Sequence, residues 1–231
     1  TYTGEAITPV IEVKDGDKVL EVGTDYTVAY ENNTDATEEA KVKVTVINKN
    51  YQGSLEKTFT ILPKTLTADN ISAIADQTYT GEAITPVIEV KDGDKVLKLG
   101  TDYTVAYENN TDVTDSAKVK VTVINKNYQG SLEKTFTILP KTINPVIDLT
   151  APVKNAVPQT TVETNEYTAE ITWSPDVDGK FATRTAYTAT ITVTPKANYT
   201  VKGVQENGFA VEGAKSVTNA ADSGVVTAGY A

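Results

Sequence analysis

The sequence predicts an all-β chain of small β-sandwiches in tandem, and three observations predict it. Sliding the 231 residues on themselves by 77 positions lays 1–64 over 78–141 with five mismatches in 64. Within the shared unit, apolar and polar side chains alternate with the period of a half-buried strand. Clusters of turn-forming residues interrupt these runs every 8–12 residues or so, as in a sandwich.

Along the repeat, Tyr26, Val28 and Tyr30 alternate with Thr27 and Ala29, Val42, Val44 and Val46 with Lys41, Lys43 and Thr45, and Phe59 and Ile61 with Thr58 and Thr60. Each run reads as a strand with one face inward. Asp15-Gly16 supplies a tight hairpin, and Asn-rich runs at 31–35 and 48–53 supply longer turns. The stretch 37–43 is ambiguous: Ala36-Thr37-Glu38-Glu39-Ala40 fits one helical turn, although the second copy reads Val113-Thr114-Asp115-Ser116-Ala117. The mismatches Glu21/Lys98, Val22/Leu99, Ala36/Val113, Glu38/Asp115 and Glu39/Ser116 fall in expected turns or strand ends, where side chains meet water.

Residues 65–77 precede the second copy and have no counterpart before the first. Ile71 and Ile74 are expected to form a short edge strand of the second module, with the first module lacking its own and its edge left bare. From residue 142 the pattern continues in other letters. Tyr167, Ala169, Ile171 and Trp173 share a face, as do Tyr187, Ala189, Ile191 and Val193, and shorter strands are expected at 201–204, 209–211, 215–217 and 225–230. The expected domains are therefore 1–64, 65–141 and 142–231. Joints bearing Pro63 and Pro140, with no Gly/Ser tether, predict an elongated array.

Composition removes whole classes of chemistry. The chain has no Cys, His or Met, so disulfides, thiolate metal sites and histidine-based catalysis are excluded. Net charge is −10 with a single Arg and no basic cluster, which argues against nucleic acid as a partner. No apolar run approaches the roughly 20 residues of a membrane-spanning helix, so no membrane insertion is expected. The opening Thr1-Tyr2-Thr3-Gly4 resembles neither an initiator nor a signal peptide, so the chain is expected to be an excised piece.

Tyr79-Thr80-Gly81-Glu82-Ala83-Ile84-Thr85-Pro86, the run from Leu99-Gly100-Thr101-Asp102-Tyr103 to Tyr107, Asn127-Tyr128-Gln129-Gly130 and Thr135-Phe136-Thr137-Ile138 together resemble the bacterial Ig-like repeat domains of large surface proteins in Gram-positive gut bacteria. The third segment, with Ile171-Thr172-Trp173-Ser174-Pro175, the strand opening at Tyr187 and Asn198-Tyr199, is similar to a β-sandwich module that accompanies such repeats. The resemblance covers nearly the whole chain. It implies immunoglobulin-like sandwiches exposed on a bacterial surface or secreted, and it carries over no catalytic residue.

Five features invite a functional reading. Trp173 could stack a sugar, but it lies in phase with an apolar face, so a core role is expected. Asp15-Gly16-Asp17 and Asp92-Gly93-Asp94, with Asp25 or Asp102, place carboxylates as a calcium loop does, yet a hairpin wants the same residues and the glutamate ligand that usually follows is missing. A glycosidase needs two facing carboxyls, and the acids here fall in turns or point outward. Lys57 and Lys134, in phase with Phe59 and Phe136, are the lysines suited to a spontaneous Lys–Asn bond, whereas Lys41, Lys43, Lys118 and Lys120 belong to the polar face. Asn50-Tyr51 recurs as Asn127-Tyr128 and Asn198-Tyr199, which reads as a shared device of the fold with tyrosine packed over a sandwich end.

No catalytic, cofactor-binding or metal residue is assigned. The functional expectation is a monomeric, non-catalytic stalk or spacer with an adhesive role, its partner an unidentified host or cell-wall glycan or protein. A carbohydrate- or protein-binding module and an accessory part of a secreted glycoside hydrolase are the alternatives. Tandem duplication favours the first, because reach and avidity scale with module number and catalysis does not.

Overall fold

A computed structural model describes residues 1–230 and shows an all-β protein with a sandwich-like arrangement of sheets. Among the described residues, one 3-10 turn, Ala68–Asn70, is the sole helical element, and no helix is long and apolar enough to cross a membrane. Residue contacts gather into two units. One comprises Thr1–Ile74, Pro86–Glu108 and Lys118–Thr135; the other comprises Ala75–Thr85, Asn109–Ala117 and the chain from Phe136 onward.

In the first copy, Tyr26–Glu31, Thr37–Val46 and Ser54–Ile61 form an antiparallel sheet in that order. Tyr26 pairs with Val46, and the register runs on to Glu31 opposite Lys41. Alternation does the rest. Tyr26, Ala40, Val42, Val44 and Ile61 turn inward, while the outer face carries crossed pairs of opposite charge, Lys41 with Glu56 and Lys43 with Glu31, each at 2.6 Å. Such exposed pairs contribute little to stability, because water and salt screen them. The hairpin Lys14–Asp15 with Lys18–Val19 lies over the inner face, bringing Leu20 against Tyr26 and Val44.

The second copy repeats the order and the register with every number raised by 77: Tyr103 pairs with Val123, and Glu108 with Lys118. It adds one strand, Gln77–Thr78, parallel to the end of Ser131–Leu139. The helical option at 37–43 is overturned. Both copies are extended there, and in the first a bulge between Thr37 and Ala40 takes up the one extra residue that disturbs the alternation.

Residues 64–74 separate the two copies in environment. Ile71 forms a single antiparallel bridge to Val90 instead of the expected edge strand, because the 3-10 turn before it redirects the chain. Leu66 and Ile71 are buried, with Ile74 packed beside them. Leu132, under this segment, is 0% exposed, whereas the identical Leu55 of the first copy is 58% exposed. Covering a leucine to that degree is worth about 1–2 kcal/mol.

The third segment carries a five-stranded sheet in the order Thr161–Glu163, Tyr167–Ser174, Tyr187–Pro195, Val225–Tyr230 and Ser216–Asn219. Facing it are two short parallel pairs, Lys141–Thr142 with Tyr199–Thr200 and Val146–Ile147 with Ala210–Val211. The expected strand at 201–204 is a turn. Val204 N–H donates to the Val201 carbonyl across it, and Tyr199–Thr200 is the strand.

Gly130 marks how tightly the segment at 64–66 sits on the second copy. A Cβ there would stand 2.4 Å from the Leu66 carbonyl oxygen, while at Gly53, the same position in the first copy, it would meet nothing within 4 Å. Both glycines hold positive φ, so alanine strains either. Gly53→Ala is expected to cost about 1–2 kcal/mol from backbone strain alone. Gly130→Ala should cost at least about 1 kcal/mol more from the clash. Amide exchange followed separately in the strands Thr37–Val46 and Thr114–Val123 measures the two effects.

Candidate functional site

The recurrent Asn-Tyr pair lies at the joints, where it holds an upstream loop to a downstream module. At the first joint, Asn127 Oδ1 accepts the Ala36 N–H at 2.7 Å, its Nδ2 donates to Asp35 Oδ1 at 2.9 Å, and its main-chain carbonyl accepts the Lys64 N–H at 2.9 Å. One residue thus grips both the 31–37 loop and the linker. Asn suits the position because its amide offers a donor and an acceptor together; an aspartate would meet the Asp35 carboxylate with like charge. The Asn127 main chain is itself held, since Asn125 Oδ1 accepts its N–H at 2.9 Å.

Tyr128, the next residue, packs edge-on against Tyr2 with ring centres 5.4 Å apart. The Lys95 ammonium stands over both rings and donates to the Tyr2 hydroxyl at 3.3 Å. The Tyr128 and Tyr2 hydroxyls hold Lys95 above the usual lysine range, while burial raises the Tyr128 phenol. Asp92 accepts from Tyr128 Oη at 3.2 Å and pairs with Lys64. Lys64–Thr65 then runs parallel to Tyr128–Gln129, completing the joint.

The second joint is built from the same parts. Asn198 accepts the Val113 N–H at 2.9 Å, donates to Asp112 at 2.8 Å, and its carbonyl accepts the Lys141 N–H at 3.0 Å. Tyr199 meets Tyr79 edge-on at 5.6 Å, and Lys141–Thr142 runs parallel to Tyr199–Thr200. In the first copy the corresponding Tyr51 accepts from Lys18 at 3.2 Å.

The recurrence of Asn-Tyr marks the device in the sequence and suggests tyrosine packed over a sandwich end; in the structure tyrosine packs on another tyrosine across a joint, and asparagine does the binding. Asp35, Ala36 and Tyr2, with Asp112, Val113 and Tyr79, were missed. Their signal is faint, since the third segment repeats the Asn-Tyr receiver but not the loop it grips. Ala36/Val113 is also the one mismatch away from open solvent, Ala36 being buried and Val113 half-buried. Ala36 is 9% exposed because its backbone is held by Asn127.

The other candidate residues have structural partners. Trp173 is 9% exposed, donates from Nε1 to the Gln159 carbonyl at 2.9 Å, and packs against Phe181, Tyr187 and Tyr230 in the core. Asp15 and Asp17 are exposed on the hairpin, while Asp92 serves the first joint and Asp94 lies on the matching turn of the second copy. Asp25 accepts the Glu21 N–H at 2.8 Å and Asn48 Nδ2, and Asp102 accepts the Lys98 N–H at 2.7 Å and Asn125 Nδ2 at 2.6 Å. Those bonds hold both carboxyls below the usual range: the Glu21 N–H counts most for Asp25, Asn125 for Asp102. Lys134 donates to the Ile71 carbonyl at 2.7 Å, and Lys57 is exposed. Among the described residues no group of three or more acidic, His or Cys side chains is placed to hold a metal ion.

Comparison with protein-family models, curated proteins and solved structures returns no match for this chain.

Two outcomes follow from this geometry. Asn127→Ala leaves a buried Ala36 N–H without a partner and should cost about 1–3 kcal/mol, whereas Asn50→Ala, at an exposed position, should stay within about 0.5 kcal/mol; urea unfolding compares them. Asp25 and Asp102 titrate lower in the folded chain than in the unfolded one, so their contribution is complete above about pH 4 and is lost as pH falls through their folded values. The double variant Asp25→Asn/Asp102→Asn should therefore show a flatter stability profile below about pH 4 in acid titration by circular dichroism.

Proposed function

We propose that this chain is a non-catalytic segment of a bacterial surface or secreted protein, made of tandem immunoglobulin-like modules that act as a stalk or spacer with an adhesive role. The observation that carries the reading is the recurrence of one joint. Asn127 with Asp35 and Ala36, and Asn198 with Asp112 and Val113, make the same three bonds, although the third segment differs in sequence from the repeats. A joint reused between unlike modules serves a chain whose purpose is to set spacing. The side chains that could have served catalysis support the same reading. Asp25 and Asp102 brace turns, Trp173 fills a core, and Lys41, Lys43, Lys118 and Lys120 pair with glutamates on the outer sheet faces.

Small-angle scattering tests the spacer reading. A compact globule of this length would have a radius of gyration of about 17 Å. The reading requires a clearly larger radius, and a lower effective rigidity in the double variant Asn127→Ala/Asn198→Ala. A radius at the compact value would remove its physical basis.

A further inference from the structure

In the third segment two turns are fixed side by side. Asn155 N–H donates to the Phe181 carbonyl at 3.1 Å, and Phe181 N–H donates to the Ala156 carbonyl at 3.0 Å. Phe181 is buried against Trp173 and Tyr187, with ring centres 4.9 Å from each. The exposed turns Lys154-Asn155 and Thr183-Arg184 therefore stand on a buried aromatic base. They border an open recess of about 410 Å³, whose lining includes Pro152, Lys154, Thr183, Arg184, Thr185 and Tyr187.

Folding alone does not account for the groups gathered there. Among the described residues Lys154 and Arg184, the chain's single arginine, form no ion pair and no side-chain hydrogen bond, whereas Lys141 and Lys196 of the same segment meet Glu166 and Glu163. Arg184 also holds φ at 57°, a left-handed conformation uncommon for a bulky residue. Strain of that kind fits a side chain placed for contact with a ligand. Tyr187 is 4% exposed; its hydroxyl accepts the Ala182 N–H at 3.0 Å, and among the described residues its own proton has no acceptor. A buried donor beside two unpaired cations calls for an anion rich in oxygen.

We propose that this recess binds a sugar carrying an acid group, carboxylate or phosphate. Lys154 and Arg184 receive the acid, and the hydroxyls of Thr183, Thr185 and Tyr187 meet those of the ring. The guanidinium fork matches the paired oxygens of either acid group. A lining of hydroxyls and charge suits a polyol, since the Trp173, Phe181 and Tyr187 rings are turned into the core. The volume lies in the range of small-molecule sites. Such a site supplies a ligand class for the proposed adhesive role and rests on that reading for its setting; scattering reads spacing and titration reads binding, so either can fail alone.

Isothermal titration calorimetry of the 231-residue chain with glucuronate and with glucose 6-phosphate tests the site. Saturable millimolar binding of at least one of them is expected, weakened about tenfold or more by the double variant Lys154→Gln/Arg184→Gln, which removes the charge-assisted bonds. Both residues are exposed, so circular dichroism of the double variant should match that of the parent. Glucose should give no detectable heat, which assigns the acid group, and inorganic phosphate should bind more weakly than the better sugar, which assigns the ring. No saturation by either sugar at tens of millimolar overturns the proposal. So does binding indifferent to the double variant, glucose bound as well as its acidic relatives, or inorganic phosphate bound as tightly as the better sugar.

Discussion

A sheet with one apolar face has to have that face covered, and most of what is particular to this chain follows from how each module meets that demand. The strands are short, the inner faces are built from valine, isoleucine and tyrosine, and the covering layer is thin. In the first copy it is little more than a hairpin and an extended run bearing Ile7, Ile11 and Val13. In the second copy 64–74 adds a lid, and the same inner residues become fully buried. In the third segment, Lys141–Thr142 and Val146–Ile147 play the corresponding part. The linker is thus a working layer of the module that follows it, which explains why it is short and contains no flexible tether.

The joints obey the second demand of folded chains, that backbone groups removed from water find partners. A loop end such as Asp35-Ala36 presents an N–H and a carboxylate at the same spot, and a side-chain amide answers both. Tyrosine pairs beside it exclude water at modest entropy cost, since an aromatic side chain has few rotamers to lose. At the first joint Lys95, Asp92 and Lys64 add a charged fringe, and at the second Lys141 reaches Glu166 at 3.9 Å. The common part of the two is therefore the amide and the ring pair.

Much of the fold was legible because it depends on local pattern. Period-2 alternation placed Tyr26–Glu31, the Val42, Val44 and Val46 run, Tyr167–Ser174 and Tyr187–Pro195 with one face inward, and the phase of Trp173 placed it in a core. What escaped depends on partners distant in sequence. Nothing local marks Val201 as a turn, since its neighbour Tyr199 is drawn into pairing by Lys141–Thr142 some 60 residues earlier. Likewise 37–43 reads ambiguously until the bulge opposite Phe59 and Ile61 accounts for the break in alternation. The joint was half visible: recurrence of Asn-Tyr exposed the gripping residue, but the gripped Asp35 and Ala36 look like any surface turn.

The 59 shared positions of the two copies have a consequence during synthesis and refolding. A strand from either copy fits the sheet of the other in the same register, because Tyr26 opposite Val46 and Tyr103 opposite Val123 are interchangeable pairs. Neighbouring repeats this alike are prone to trade strands and trap each other in hybrid sheets. The intervening segment counters that hazard. Lodged on the second copy by Leu66 and Ile71, it fixes where the first copy ends and the second begins and gives otherwise interchangeable halves distinct addresses.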